Sequence, residues 1–491
     1  MDTPLSTSWP VARSGPVAAW AFLRILGAVY GIAFLSLLPQ IDGLIGPRGI
    51  VPAGEFLEAV RRAYGTSAYW FVPTVFWWSA STRALLLVCG VGALASVLVV
   101  VDRLTTPALA VCWIAYLSVV GVGQEFLSFQ WDSLLLEAGA LAILTSAWPA
   151  ALAWLYRWLL FRLMFMSGIV KLMSGDVAWR NLTALTYHFE TQPLPTPLSW
   201  YVHQLPPAVL HGMTLGTLVI ETLVPFMYFG PRRVQAIGAG ITVAFQCLIF
   251  VTGNYTFFNV LTMALALWLL DDETVLAGLP QRFVERARQM RPGPPSGWRR
   301  WPVQVAVAIV VFVNAVTFWE ARGGALPSNI AVVQAGLEPW RLSSGYGLFA
   351  VMTTTRPEID LEGSDDAATW TSYVFYQKPG DERRPPPWVA PYHPRLDWQM
   401  WFAALSDASS DRWVLALARR LLEGSPPVRA LLAPGPWSDH PPRYIRATLY
   451  DYHFTDWTTG RAKGTWWTRG AVSQYLPPVM LDADGALRRV D

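Results

Sequence analysis

A series of long apolar runs constrains this chain more than any other feature. A bilayer core takes about 20 apolar residues per helix, and Val17 to Leu38, Ala84 to Val101, Val209 to Phe229, Val234 to Val251 and Val303 to Trp319 meet or approach that length. Shorter or charge-bearing windows occur at Pro107 to Val122, Leu134 to Trp148, Ala150 to Met173 and Phe257 to Leu270. Nine membrane crossings are the expectation, with seven or eight also compatible. The composition agrees: 53% of residues are hydrophobic and 14% charged, against roughly 25% charged in a soluble domain, and the mean hydropathy is +0.33. The first run is too long for a signal-peptide core and lacks a small-residue cleavage site after it, so it reads as a retained anchor. The expected fold is an α-helical polytopic membrane domain over residues 1–320, followed by an extramembrane β-sandwich-like domain with a helical insertion over residues 321–491.

Charge and cysteine usage narrow the function classes. Thirty-seven basic and 34 acidic side chains leave a net charge of +3, too weak and too scattered for a nucleic-acid partner. Cys89, Cys112 and Cys247 all lie in apolar runs, which excludes a disulfide framework and a Cys-ligated zinc site. The glycine, serine and histidine motifs of hydrolases, nucleotide-binding proteins and zinc proteases are missing. No cofactor and no metal site is therefore expected, and no catalyst is self-evident.

Orientation follows from short basic loops, which tend to stay cytoplasmic. With nine alternating crossings, Arg13, Arg103, Arg232 and Arg233, and the cluster Arg282, Arg286, Arg288, Arg291, Arg299 and Arg300 fall on one side. The N-terminus is then inside and the C-terminal region outside. Arg48, Arg61, Arg62 and Arg83 break the trend within a long first external loop, where Tyr69 to Trp78 is aromatic enough for an interfacial or re-entrant helix.

The second external loop, residues 174–207, is dense in polar residues: Asp176, Trp179, Arg180, His188, Glu190 and Gln192. Pro193, Pro195 and Pro197 alternate, which predicts an extended run and no helix there. Asn181 and Asn254 sit in N-x-T sequons. His188 and Glu190 are the strongest polar constellation on this side and are candidates for an acid and a base; a metal would need His203 or His211 to fold back onto them. A loop that braces the helix ends by hydrogen bonding is the blander expectation.

Ionisable groups inside crossings need partners. Arg162 and Glu221 match in depth, which predicts a pair between them, and Lys171 at an outer helix end is expected to meet Asp132 or Glu137. Beyond the last run, Trp370 to Tyr376 and Tyr444 to Phe454 alternate as strands, whereas Asp397 to Leu405 and Asp411 to Leu422 carry helical spacing. Arg395, Asp397, Trp398, Gln399 and Trp401 form an aromatic-rich segment suited either to a core or to a docking surface. Asp451 and His453 share a strand face, from which they are expected to bond to Arg395 or Asp397.

The runs Arg162 through Lys171, Gly175-Asp176, Trp179-Arg180, Tyr187-His188-Phe189-Glu190-Thr191-Gln192-Pro193, Gly253-Asn254 and Asp271-Asp272 closely resemble the lipase maturation factor family. Val389 through Leu405 and Pro442-Arg443-Tyr444 do so too. The resemblance covers most of the chain. It implies a multi-pass membrane protein, not an enzyme, that assists folding or assembly of a secreted lipase-like client, with its large domain in the endoplasmic reticulum lumen of eukaryotic relatives. The Arg-rich chain, with Lys only at 171, 378 and 463, reads as bacterial, which would place it in an inner membrane with the C-terminal domain in the periplasm. The membrane half resembles, more distantly, the vitamin K-dependent carboxylase-like membrane domain. That likeness makes a quinone-linked enzyme, with Lys171 or His188 as base, the alternative.

Overall fold

The computed structural model describes residues 15–145, 149–278, 281, 283–284, 300–320, 323–437 and 439–490. Arg13, Arg282, Arg286, Arg288, Arg291 and Arg299, which entered the orientation argument, lie outside these residues, as does the end of the Leu134 to Trp148 window.

Among the described residues, seven helices are long and apolar enough to cross a membrane: Pro16–Leu37, Thr82–Val100, Thr105–Val122, Leu152–Met173, Pro207–Phe229, Arg232–Thr252 and Val303–Glu320. Of the other two expected crossings, Phe258–Leu269 is a shorter apolar helix, and Gln130–Thr145 is a 16-residue helix that carries Asp132 and Glu137. Local chemistry sets several boundaries. Pro16 and Pro207 occupy the first helical turn, where a missing N–H costs nothing. Pro225, in contrast, falls where the α-helix gives way to the tighter 3-10 turn Val224–Phe229.

Polar contacts sort the helix ends into two groups. At one end, the Asp272 carboxylate accepts from the backbone N–H groups of Gly15, Val17 and Ala18 at 3.1–3.2 Å, a favourable place for an anion. There, too, Arg24 pairs with Asp102 and Arg232 with Asp271. At the other end, Gln40, Phe126 and Asn254 meet residues 387–395 of the C-terminal region. Pro16–Leu37 and Arg232–Thr252 start at the first of these ends and reach the second at Gln40 and Asn254, and between Thr82–Val100 and Thr105–Val122 the chain turns at the first, beside Arg24, so these helices alternate between the two ends.

Among the described residues, the C-terminal region holds one antiparallel sheet of β1 (Pro357–Ser364), β2 (Thr371–Ser372), β3 (Tyr444–Phe454), β4 (Trp467–Leu481) and β5 (Leu487–Arg489), in the order β2-β1-β3-β4-β5. The expected sandwich is therefore corrected to a single sheet covered by helices. Arg395–Ala404 and Arg412–Leu422, inserted between β2 and β3, bury Leu396, Met400, Leu417 and Leu421 in one core with Ile359, Leu361, Ile445 and Leu476. A helical layer closes the apolar face, so no second sheet is required.

Trp370 to Tyr376 contributes only the two residues of β2. Just beyond it, the Asp397 side chain takes the backbone N–H groups of Gln377 and Lys378, at 2.6 and 2.9 Å, leaving them no part in a ladder. Two expectations about loops also change. Tyr69 to Trp78 forms two short turns, Ala68–Phe71 and Val75–Trp77, with Tyr69, Trp70 and Trp78 exposed. Pro195 is extended, in a bridge to Gly253, but Pro193 sits in a bend and Pro197 opens the helix Pro197–His203, with Thr196 as its cap.

Candidate functional site

The polar motif residues from both halves of the chain meet at the junction between the helical bundle and the sheet domain. Arg395, at the first turn of its helix, is fully buried. Its guanidinium grips Asp132 through both oxygens, at 2.9 and 3.0 Å, and donates to the Phe126 carbonyl at 2.7 Å and the Tyr116 hydroxyl at 3.2 Å. Tyr116 itself donates to Asp132. Burial alone would lower the Arg395 pKa, but the Asp132 carboxylate and Tyr116 raise it above its usual value, so the charge persists. Gln40 completes the dock, accepting from the Arg395 N–H and donating to the His393 carbonyl, both at 2.9 Å.

The same helix fixes the rest of the segment inside the junction. Asp397 is buried and holds the Gln377–Lys378 backbone; burial raises its carboxyl above the usual range, against those N–H donors. Trp398 packs edge-on to Trp131 and Phe129. Trp401 donates its indole N–H to the Thr191 carbonyl at 2.9 Å. With Arg395, Asp397, Trp398 and Trp401 enclosed, the core reading of this segment prevails over a surface built on them. Trp398, Gln399 and Trp401 nonetheless line a groove of about 670 Å³, whose rim carries Val351, Phe402 and Leu405, 66%, 42% and 44% exposed.

The loop over residues 174–207 docks on the other flank. Asp176 accepts from the Met352 N–H, and Trp179 donates to the Phe349 carbonyl at 2.9 Å. Arg180 ends the short helix Val177–Arg180. Glu190 accepts from the Phe454 N–H at 2.6 Å and contacts His453 at 3.1 Å, while His453 also meets Asp451 at 3.2 Å. His453 therefore bonds to Glu190 and to Asp451, and Asp451 also accepts from the Arg356 N–H; the expected bonds to Arg395 or Asp397 are overturned, because Asp132 and the Gln377–Lys378 backbone already occupy those two. Gln192 accepts from Tyr255 at 3.1 Å and donates to the Thr252 carbonyl at 2.7 Å.

His188 and Glu190 do not form an acid and base pair. On the helix Ala184–Thr191, residues two apart point roughly 200° away from each other. Glu190 faces β3, whereas His188 faces an apolar cavity with Lys171 and Glu221. Burial, and next the Lys171 charge, push the His188 imidazole down to about 4. His203 does fold back to Glu190, at 3.7 Å, yet no group of three metal-ligating side chains exists among the described residues.

The intramembrane pairs differ from expectation. Arg162 pairs with Glu137, which also accepts from the Tyr346 hydroxyl at 2.8 Å and the Ser344 N–H at 3.2 Å. Lys171 pairs with Glu221 at 2.8 Å. The expected Arg162–Glu221 pair, and the pairing of Lys171 with Asp132 or Glu137, are thus overturned. Depth was matched but azimuth was not: nine residues at about 100° each put Arg162 and Lys171 on opposite faces of their helix, toward different neighbours.

Sequence reasoning missed Gln40 and Tyr116 of the dock, and also Arg356 and the structural role of Asn254. Arg356, fully buried, donates to the carbonyls of Glu190, Gln192 and Pro193 and to Glu358 at 2.8 Å. Its signal was a strand alternation that places Arg356 and Glu358 on one face. Asn254, read as a sequon and as part of the Gly253-Asn254 run, is buried: it donates to the Leu194, Pro195 and Pro387 carbonyls and accepts from the Val389 and Ala390 N–H groups.

Both halves match known domains. Residues 17–277 match the lipase maturation factor transmembrane domain, and residues 342–477 the lipase maturation factor C-terminal domain. The chain is 36% identical to lipase maturation factor 2 of Homo sapiens, covering 94% of this chain and 82% of that protein. It is 35% identical to lipase maturation factor 1 of Bos taurus, covering 93% and 88%. No solved structure matches. Two domain matches in order, with a third of positions identical over nearly the whole chain, show that this protein belongs to the lipase maturation factor family.

Proposed function

We propose that this protein is a membrane-anchored maturation factor that assists folding or assembly of secreted lipase-like proteins. The observation that carries this reading is the match to relatives named lipase maturation factors across both halves. The buried dock supports it, because the sheet domain is clamped to the bundle through Arg395 and Asp132 and so held at a set position against the membrane. These relatives give no support to a quinone-linked enzyme.

The finer reading is that all nine apolar helices cross, leaving residues 323–490 on the non-cytoplasmic side, the periplasm in a bacterial host. The alternation of helix ends supports it. Proteolysis from the cytoplasmic face of sealed vesicles should then spare this region, and its digestion would overturn the topology. The motif residues Arg395, Asp397, Trp398, Gln399, Trp401, Asp451 and His453 position the domain, while Val351, Phe402 and Leu405 on the groove rim meet an immature client. Co-expression with a secreted lipase tests both parts. Lipase activity should fall without the factor, and Phe402→Asp with Leu405→Asp should lose co-purified lipase while the membrane protein still accumulates. Unchanged lipase recovery from that variant would remove the surface.

A further inference from the structure

A cavity of about 390 Å³ lies between the helices Pro149–Met173, Pro207–Thr222 and Arg232–Thr252 and the loop helix Ala184–Thr191. That volume is within the roughly 300–1,000 Å³ of small-molecule sites. Leu163, Leu185, Met213, Ile220, Phe245 and Ile249 make its walls apolar. At its edge, Leu205 and Leu248 are 38% and 59% exposed on the outer face of the bundle, where lipid tails would lie.

One wall of the cavity is polar and electrically balanced. The ammonium of Lys171 and the carboxylate of Glu221 neutralise one another at 2.8 Å, and Lys171 also donates to the Ser167 carbonyl at 2.9 Å. Beside them, Asn259 is fully buried and spends its amide N–H on the Gln246 oxygen at 2.8 Å. Its own Oδ1 meets no donor among the described residues. The Gln246 amide nitrogen has the Met164 thioether, 3.6 Å away, as its partner, and a thioether is a weak acceptor. Buried polar groups are ordinarily satisfied. Here an unpartnered acceptor and an underused donor lie buried side by side, in two residues that border the cavity.

We propose that this cavity binds an uncharged single-chain lipid bearing hydroxyl and ester groups, of the monoacylglycerol class. A hydroxyl donates to Asn259 Oδ1, an ester carbonyl accepts from Gln246 Nε2, and the acyl chain runs along the apolar wall toward Leu248. A carboxylate or phosphate head is disfavoured, because Lys171, the one Lys or Arg among the described residues that line the cavity, already serves Glu221, and a further buried anion would go uncompensated.

Gly216 offers a clean test. It lines the cavity, and a Cβ added there meets nothing within 4 Å. Gly216→Trp therefore fills the space with little backbone strain, and Gly216→Leu does so more gently. Gly212, on the same helix, has an equally open Cβ but is not among the lining residues, so Gly212→Trp is the control. The full-length protein in detergent is photolabelled with a monoacylglycerol carrying a diazirine and an alkyne in its acyl chain. Labelling should fall about tenfold in Gly216→Trp and Asn259→Leu, fall less in Gly216→Leu, stay at the wild-type level in Gly212→Trp, and yield to excess monoacylglycerol. Wild-type labelling of both Gly216 variants would overturn the site. Equal competition by the corresponding fatty-acid anion would overturn the ligand class. No client enters the measurement, so either failure is separate from the maturation reading.

Discussion

Arg395 of the sheet domain and Asp132 of the helical bundle, 263 residues apart, form a two-pronged ion pair with no exposure of either side chain. The pair ties a soluble-looking domain to a helix end inside the bundle. Breaking a buried pair by removing one partner leaves an uncompensated charge and costs roughly 3–5 kcal/mol. Arg395→Ala and Asp132→Ala should each lower the thermal unfolding midpoint in detergent and shed the C-terminal region to limited proteolysis. Arg395→Lys should recover little, since an ammonium cannot span both carboxylate oxygens. Wild-type protease resistance in the two alanine variants would show that the dock does not hold the halves together.

The intramembrane pairs make a separate test. Arg162 contacts Glu137, and Lys171 contacts Glu221, on opposite faces of one helix. Double-mutant cycles on unfolding should give coupling of roughly 0.5–3 kcal/mol for Arg162 with Glu137 and for Lys171 with Glu221. Arg162 with Glu221 should be additive to within about 0.5 kcal/mol. The reverse pattern would restore the assignment that depth alone suggested.

Long elements with a single period were legible in the sequence. The seven long membrane helices, the strand Tyr444–Phe454 and the helices Arg395–Ala404 and Arg412–Leu422 all declare themselves by apolar length or spacing. What escaped depends on rotation or on contacts far along the chain. Arg162 could be placed in depth but not in azimuth. Trp370 to Tyr376 reads as a strand until Asp397, twenty residues later, takes its neighbouring backbone N–H groups. The aromatic richness of Trp398 and Trp401 fits a surface or a core equally well; only the approach of Trp131 and Thr191 decides it. The Asn254 latch lay hidden because a sequon advertises an exposed asparagine.

Asn254 offers an isosteric test of that latch. Its amide nitrogen lies 2.8–3.2 Å from three backbone carbonyls, and its oxygen serves two N–H groups. Asn254→Asp keeps the shape, removes the donor and sets a charge against those carbonyls. It should destabilise by at least the roughly 1–3 kcal/mol of an unsatisfied buried group, and by more than Asn254→Ala. In a glycosylating host, Asn181, which is exposed, should carry any glycan, and Asn254 should remain unmodified in the folded protein. A glycan on Asn254 in stable, monodisperse protein would contradict the enclosed geometry.

His453 gives the junction a pH dependence. Burial opposes its charge, but the carboxylates of Glu190 at 3.1 Å and Asp451 at 3.2 Å outweigh that and raise its pKa above about 6.5. His203 also faces Glu190, and burial lowers its pKa, so it stays neutral over the same range. A group whose folded pKa is raised stabilises most below its unfolded pKa, and that contribution is lost as the pH climbs through the folded value. Stability should therefore fall as the pH rises from about 6.5 through the raised His453 pKa. Because the ring is 53% exposed, the effect should be that of a screened surface pair, roughly 0.2–1 kcal/mol. His453→Gln should flatten the slope in thermal unfolding measured from mildly acidic to mildly alkaline buffer, and Glu190→Gln should reduce it. An unaltered slope in His453→Gln would assign the pH response to another group.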